Sequence, residues 1–163
     1  MRDNLGMTPE RQMLRHTLAT VAYRGAKALR GAPADFANFK AAADTRTPVE
    51  ILAHIGDLYD WALSIAKGAT VWNTATPVRW DDEIARFHAA LASFDAYLAS
   101  DAPLGTTCEK LFQGPVADSL THIGQLTILR RMHGAPIRGE SYYRAVIETG
   151  RVGSDQAAPK AEF

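Results

Sequence analysis

Asp118, His122 and Gln125 fall in the stretch DSLTHIGQL, spaced four and then three residues apart. Residues at those spacings share one face of a helix, so a carboxylate, an imidazole and an amide stand on a single line. A second histidine, His54, lies in TPVEILAHIGDLYDWAL (47–63), at the border of an apolar stripe and on the line that also carries Trp61. Two imidazoles and a carboxylate meeting at one point can hold a divalent cation with coordination positions left open, as in catalytic zinc and facial-triad iron sites. Open positions let the cation polarise a substrate or acidify a bound water or thiol.

The same residues have plainer uses. An Asp/His pair at i, i+4 is more often an ordinary hydrogen-bonded pair, and a histidine at a core boundary is more often a satisfied neighbour of that core. Asp57, one turn beyond His54, is an alternative ligand, an outer partner or a solvated carboxylate; Gln125 is suited to hydrogen bonding rather than ligation. Tyr59 and Trp61 line a pocket or fill the core. His16, His88 and His133 have no partner at ligand spacing. The metal reading requires the segments carrying His54 and Asp118–His122 to face each other.

Those segments read as helices. Thr8 and Pro9 cap and open a first helix, with Leu14, Leu18, Val21 and Leu29 at helical spacing and GAP (31–33) as its end. TPVE (47–50) is a capping box that opens a second, whose stripe is Ile51, Ile55, Leu58 and Ala62 and whose stop is Gly68. A third begins at Asp81 and Asp82 and carries the heptad-like seam Ile84, Phe87, Leu91, Phe94 and Leu98. A fourth runs from about Pro115 to His133, ended by Gly134 and Pro136, with Val116, Leu120, Ile123 and Thr127 as its core stripe. No strand pattern competes. The expected fold is all-α, a four-helix bundle of up-down topology over residues 1–133 with a long first connection at 34–46. A short connection is expected between the third and fourth helices, at 101–113 with Pro103 and Gly105, containing a short helical turn. Residues 134–163 form an irregular C-terminal extension packed on the bundle and ending in a mobile tail; Arg138, Glu140 and Arg144 make it a candidate lid.

Composition narrows the function classes. The 163 residues carry 18 Lys+Arg and 18 Asp+Glu, and this balance argues against nucleic acid as the main partner. A single cysteine, Cys108, excludes an internal disulfide and fits a reducing cytoplasm. The polar start MRDNLGMTPERQ lacks the apolar core of a signal peptide, and no apolar run approaches the roughly 20 residues that span a bilayer. A cytoplasmic protein with no membrane partner is expected.

In this order and helical context, His54 after a proline-containing cap and His122-Ile123-Gly124-Gln125 on the last helix resemble the DinB/YfiT-like superfamily of small bacterial four-helix bundles. That family's last helix typically carries His-x-x-x-His-Arg-Gly-Gln, and its second helix a further histidine. The resemblance covers roughly residues 8–133. Two positions depart from the pattern: Ile123 replaces the arginine, and Asp118 replaces the first histidine, where thiol-dependent relatives carry glutamate. The resemblance implies a divalent metal, zinc or nickel first and iron third, held by His54, Asp118 and His122. It also implies a low-molecular-weight thiol and a small electrophile as substrates of a transferase-type enzyme, and a homodimer. Metal-dependent hydrolysis and a non-catalytic stress-response or scaffold bundle stay open beside it, and no residue is assigned a catalytic role.

Overall fold

The computed structural model of the chain describes residues 7–163; the first six residues of the polar N-terminal stretch lie outside them. The helices are α1 (Pro9–Leu29), α2 (Pro48–Ala66), α3 (Trp80–Ala99), the single turn α4 (Cys108–Leu111) and α5 (Ala117–Met132). Among the described residues there is no strand, only one antiparallel bridge between Glu140 and Glu162. No helix there is long and apolar enough to cross a membrane.

Local chemistry fixes the ends of these elements. Thr8 accepts a hydrogen bond from the Arg11 amide. Thr47 and Glu50 form the reciprocal capping box at α2. Gly68 and Gly134, at φ +77° and +88°, end α2 and α5 in the left-handed region.

The packing differs from simple up-down alternation. α1 and α2 each pack on both α3 and α5 and so occupy diagonal corners. Arg11 at the start of α1 donates to the Ser100 carbonyl, and Arg15 pairs with Asp95, so α1 and α3 run antiparallel. Asp57 pairs with Arg86, and Ala66 at the end of α2 accepts from Gly105 beyond the end of α3, so α2 and α3 run parallel. Tyr59 meets Ser119 and His54 meets His122 one turn further along, which sets α5 antiparallel to α2. The order is up, down, down, up.

A connection of bundle length makes this possible. The 19 residues of α2 rise about 28 Å at 1.5 Å each, within the reach of the chain between residues 67 and 79, up to about 43 Å extended. It climbs back along α2 on three ties: Val71 N–H to Ser64 Oγ, Ala75 N–H to Asp57 Oδ2 and Val78 N–H to Glu83 Oε1. Arg86 joins Asp57, Asp60 and Glu83 beneath it. Asp57 is therefore neither ligand nor solvated. It is buried, and it fastens the returning chain to α2.

The core follows the expected stripes on the first three helices: Leu14, Leu18, Val21, Leu29, Ile51, Ile55, Leu58, Ala62, Phe87, Leu91, Phe94 and Leu98 are all buried, and Ile84 at the head of the α3 seam is half-buried. The α3 seam is thus spent inside one chain. On α5 the stripe is rotated. Val116, Ser119, Ile123, Leu126 and Arg130 are buried, whereas Leu120 and Thr127 are only partly so. The two polar members have dedicated partners. Ser119 hydrogen-bonds Tyr59, and Arg130 donates to the carbonyls of Ala28, Arg30 and Gly31 where α1 ends.

Phe36 is fully buried against Trp80 and His133, so the 34–46 connection is pinned to the bundle. Between α3 and α5, residues 100–116 hold the expected helical turn as α4, followed by a kink at Gly114.

The C-terminal extension lies across α1 and α3. Glu140 accepts from Tyr23 and Lys27, Thr149 meets His16, and Val152 accepts from the His88 ring. Glu162 returns to Lys27 and Arg138. These contacts fall on the edge of the bundle opposite the α2/α5 edge, so Arg138 and Glu140 do not cover the polar line.

Candidate metal centre

The antiparallel packing of α2 on α5 brings the three sequence candidates together. One ligand atom each from His54, Asp118 and His122 lies within 4.8 Å of the other two. His54 Nε2 is 3.9 Å from Asp118 Oδ2, and His122 Nε2 is 3.5 Å from Asp118 Oδ1. The two imidazoles meet edge to face, with centroids 4.8 Å apart.

These separations discriminate between the two readings of the pair. A nitrogen–oxygen hydrogen bond spans about 2.7–3.2 Å, so neither histidine is hydrogen-bonded to Asp118. Ligands on a shared ion stand further apart. With bonds of about 2.0–2.1 Å, tetrahedral neighbours lie about 3.3–3.4 Å apart, and the separation cannot exceed about 4.2 Å. The observed 3.5 and 3.9 Å fall in that interval. The widest pair, at up to 4.8 Å, needs side-chain rotation of about 0.6 Å or more to come within that limit. By donor chemistry and spacing, the three residues fit a divalent cation.

The ligand set is oriented from behind. His122 Nδ1–H donates to Gln125 Oε1 at 2.7 Å, which leaves the Nε2 lone pair facing Asp118. Such a partner on the far nitrogen fixes tautomer and ring direction in metal sites. Burial, then the neighbouring His122 and Arg46, hold the His54 imidazole below its ordinary pKa against the pull of Asp118 and Asp57. His54 is thereby kept neutral, as a ligand must be. The Asp118 side chain is 48% exposed, against 21% and 12% for His54 and His122, so the cluster opens to solvent on the carboxylate side.

The spacing of charged residues gave no sign of the aromatic wall. Trp72, from the connection that climbs α2, packs edge to face on His54 at 5.7 Å and on Trp61 at 5.5 Å. Its indole N–H donates to Thr74. Trp61 lies at the edge of the site, together with Asp118 around a groove of about 480 Å³. Tyr59 does not line it; its ring is fully buried and its hydroxyl is engaged by Ser119. His133 sits between Phe36 and Phe39 at the other end of α5 and takes no part. Trp72 was not among the sequence candidates; a tryptophan in the connection between two helices is the signal that could have found it.

Comparison with family models, with curated proteins and with solved structures returns no match, and the centre is read from the chain's own residues.

Proposed function

We propose that this chain is a DinB/YfiT-like metal-dependent protein that binds zinc or nickel through His54, Asp118 and His122 and uses it in thiol transfer to a small electrophile, in the cytoplasm. The observation that carries the reading is the convergence of two imidazoles and a carboxylate at ligand separations, from two helices that face each other. A bound zinc or nickel ion supplies Lewis acidity at its open positions, which lowers the pKa of a thiol there.

The protein's own groups account for the rest. Asp118 brings one negative charge and the imidazoles none, so the set leaves net positive charge on the ion to attract an anionic sulfur. Gln125 holds His122 in the ligating tautomer. Trp61 and Trp72 shield one flank from water, which strengthens electrostatic interactions beside them.

The test is metal analysis of the full chain purified without a histidine tag. One equivalent of zinc or nickel is expected, absent from His54→Ala and His122→Ala. At a hundredfold excess over Kd, zinc stabilises the folded state by about 2.7 kcal/mol. No metal, with unchanged melting of both variants, leaves a non-catalytic bundle. Stoichiometric metal with no turnover in a screen of thiol and electrophile pairs leaves a metal-stabilised one.

A further inference from the structure

A second groove, of about 360 Å³, opens on the other side of His122. Its volume lies in the range of small-molecule sites, about 300–1,000 Å³. Its apolar lining comes from the buried Ile51 and Leu129 and from the exposed Ile128 at its edge. Gln125 and His122 form one wall, and Arg46 stands on the facing wall. We propose that this groove seats a small organic carboxylate with an apolar body, its charge held by Arg46 and its far end presented at the His54–Asp118–His122 cluster. The identity of that neighbour rests on the metal reading; the groove and its charge do not.

Three observations support a built site rather than a chance hollow. First, the backbone on either side of Arg46 is held, while its side chain is exposed at the groove. Thr45 just before it is folded onto Ala42, whose amide donates to the Thr45 hydroxyl while that hydroxyl donates to the Ala42 carbonyl. Thr47 just after it is the α2 cap.

Second, its charge is uncommitted. Among the described residues no carboxylate pairs with Arg46. Glu50, the carboxylate close enough to feel it, is engaged by both the amide and the hydroxyl of Thr47. The groove therefore presents one cation and no anion.

Third, Ile128 is 58% exposed although it is a large aliphatic residue. It leaves an apolar edge beside a guanidinium, which suits an amphipathic anion and no strongly hydrated one. A guanidinium takes a carboxylate in a planar two-point contact that a neutral amide of the same shape cannot match.

The experiment titrates hexanoate and hexanamide into the full chain and follows backbone amide shifts, once with zinc and once with zinc removed. Hexanoate is expected to bind roughly tenfold more tightly than hexanamide, with shifts at Arg46, Ile51 and Ile128. Arg46→Met should abolish the preference. Ile128→Glu, at an exposed position, should weaken both probes by removing the apolar edge, and hexanoate more than hexanamide because the new carboxylate also repels its charge. A preference unchanged in Arg46→Met, or shifts confined to His54 and Asp118, overturns the proposal, because the carboxylate then sits on the ion. Zinc content of the same samples separates the two readings. An Arg46-dependent preference in zinc-free protein stands even where zinc fails to bind. Stoichiometric zinc without that preference removes the groove and leaves the metal.

Discussion

His122 Nδ1 and Gln125 Oε1 stand 2.7 Å apart on one turn of α5, so the proton on that imidazole points away from Asp118 and the lone pair points toward it. Removing the amide should cost metal affinity without costing stability, since Gln125 is exposed. Outer partners of metal-ligating histidines are worth about 10- to 100-fold in affinity. Gln125→Leu is expected to weaken zinc by that factor in competition with a chromophoric chelator, with an unchanged melting curve in the metal-free state. Gln125→Glu should retain tight binding, because a carboxylate accepts the same hydrogen bond. Equal affinities for wild type and Gln125→Leu would show that the amide orients nothing.

Trp72 gives the centre an optical reporter. Its ring lies 5.7 Å from His54, and Trp61 is 5.5 Å further along the same wall. Trp80, the third tryptophan, packs on Phe36 at the opening of α3. Nickel bound by the triad should quench the fluorescence of the pair and leave that of Trp80. The expected result is saturable quenching at one equivalent, more than halved in Trp72→Phe and absent in His54→Ala. Quenching that survives His54→Ala places the nickel elsewhere.

The contrast between Ser119 and Trp72 shows where sequence patterning succeeds and fails. Helices one to three were legible because their stripes are wholly apolar and their caps are local chemistry; Thr47, Pro48 and Glu50 act within one turn. On α5 the stripe was misread by part of a turn. Ser119 and Arg130 are buried through partners more than fifty residues away, Tyr59 and the end of α1, which no local periodicity displays. The grouping of His54, Asp118 and His122 was legible only in part: i, i+4 spacing puts two of them on one line, but spacing alone fits an ordinary pair, and their joining with His54 depends on two helices facing each other. The climb of residues 67–79 was not legible. It depends on Asp57 and Glu83 being spent on backbone amides, and carboxylates on helices ordinarily read as solvated. With that climb went the helix directions and the placement of Trp72 on His54.

His88 sets an acid limit on stability that is independent of the metal centre. It is buried on α3, and burial holds its pKa below the ordinary imidazole value, against the opposing hydrogen bond to the Val152 carbonyl. Above about pH 6.5 both folded and unfolded chains carry it neutral, and its contribution is complete. As pH falls below that value the unfolded chain takes up the proton first, so stability declines until the folded pKa is passed. The slope from this group is at most about 1.4 kcal/mol per pH unit. Urea denaturation in chelator at pH 7.5, 6.5 and 5.5 should show the decline, and His88→Gln should flatten part of it. Parallel pH dependences for the two proteins would assign the acid loss to other groups.

Two glycines should respond to alanine with opposite signs. Gly105 packs at the base of the bundle, where a Cβ would come within 2.4 Å of the Gly68 Cα and 2.9 Å of the Ile65 carbonyl oxygen. Its amide is also tied to Ala66 at 2.8 Å. Backbone faces backbone there, so no side chain can yield. Gly105→Ala must separate the end of α2 from the segment leading to α4, at a cost of about 1–3 kcal/mol typical of overpacking. Gly124 lies inside α5 with nothing within 4 Å of a Cβ. There the methyl group meets no atom, and the gain is the conformational freedom the unfolded chain loses, about 0.4–1 kcal/mol. Urea midpoints should therefore fall for Gly105→Ala and rise for Gly124→Ala, with unchanged slopes. A Gly124→Ala variant less stable than wild type would mean that this face of α5 is covered in solution, and sedimentation of the same variant would show whether a second copy of the chain covers it.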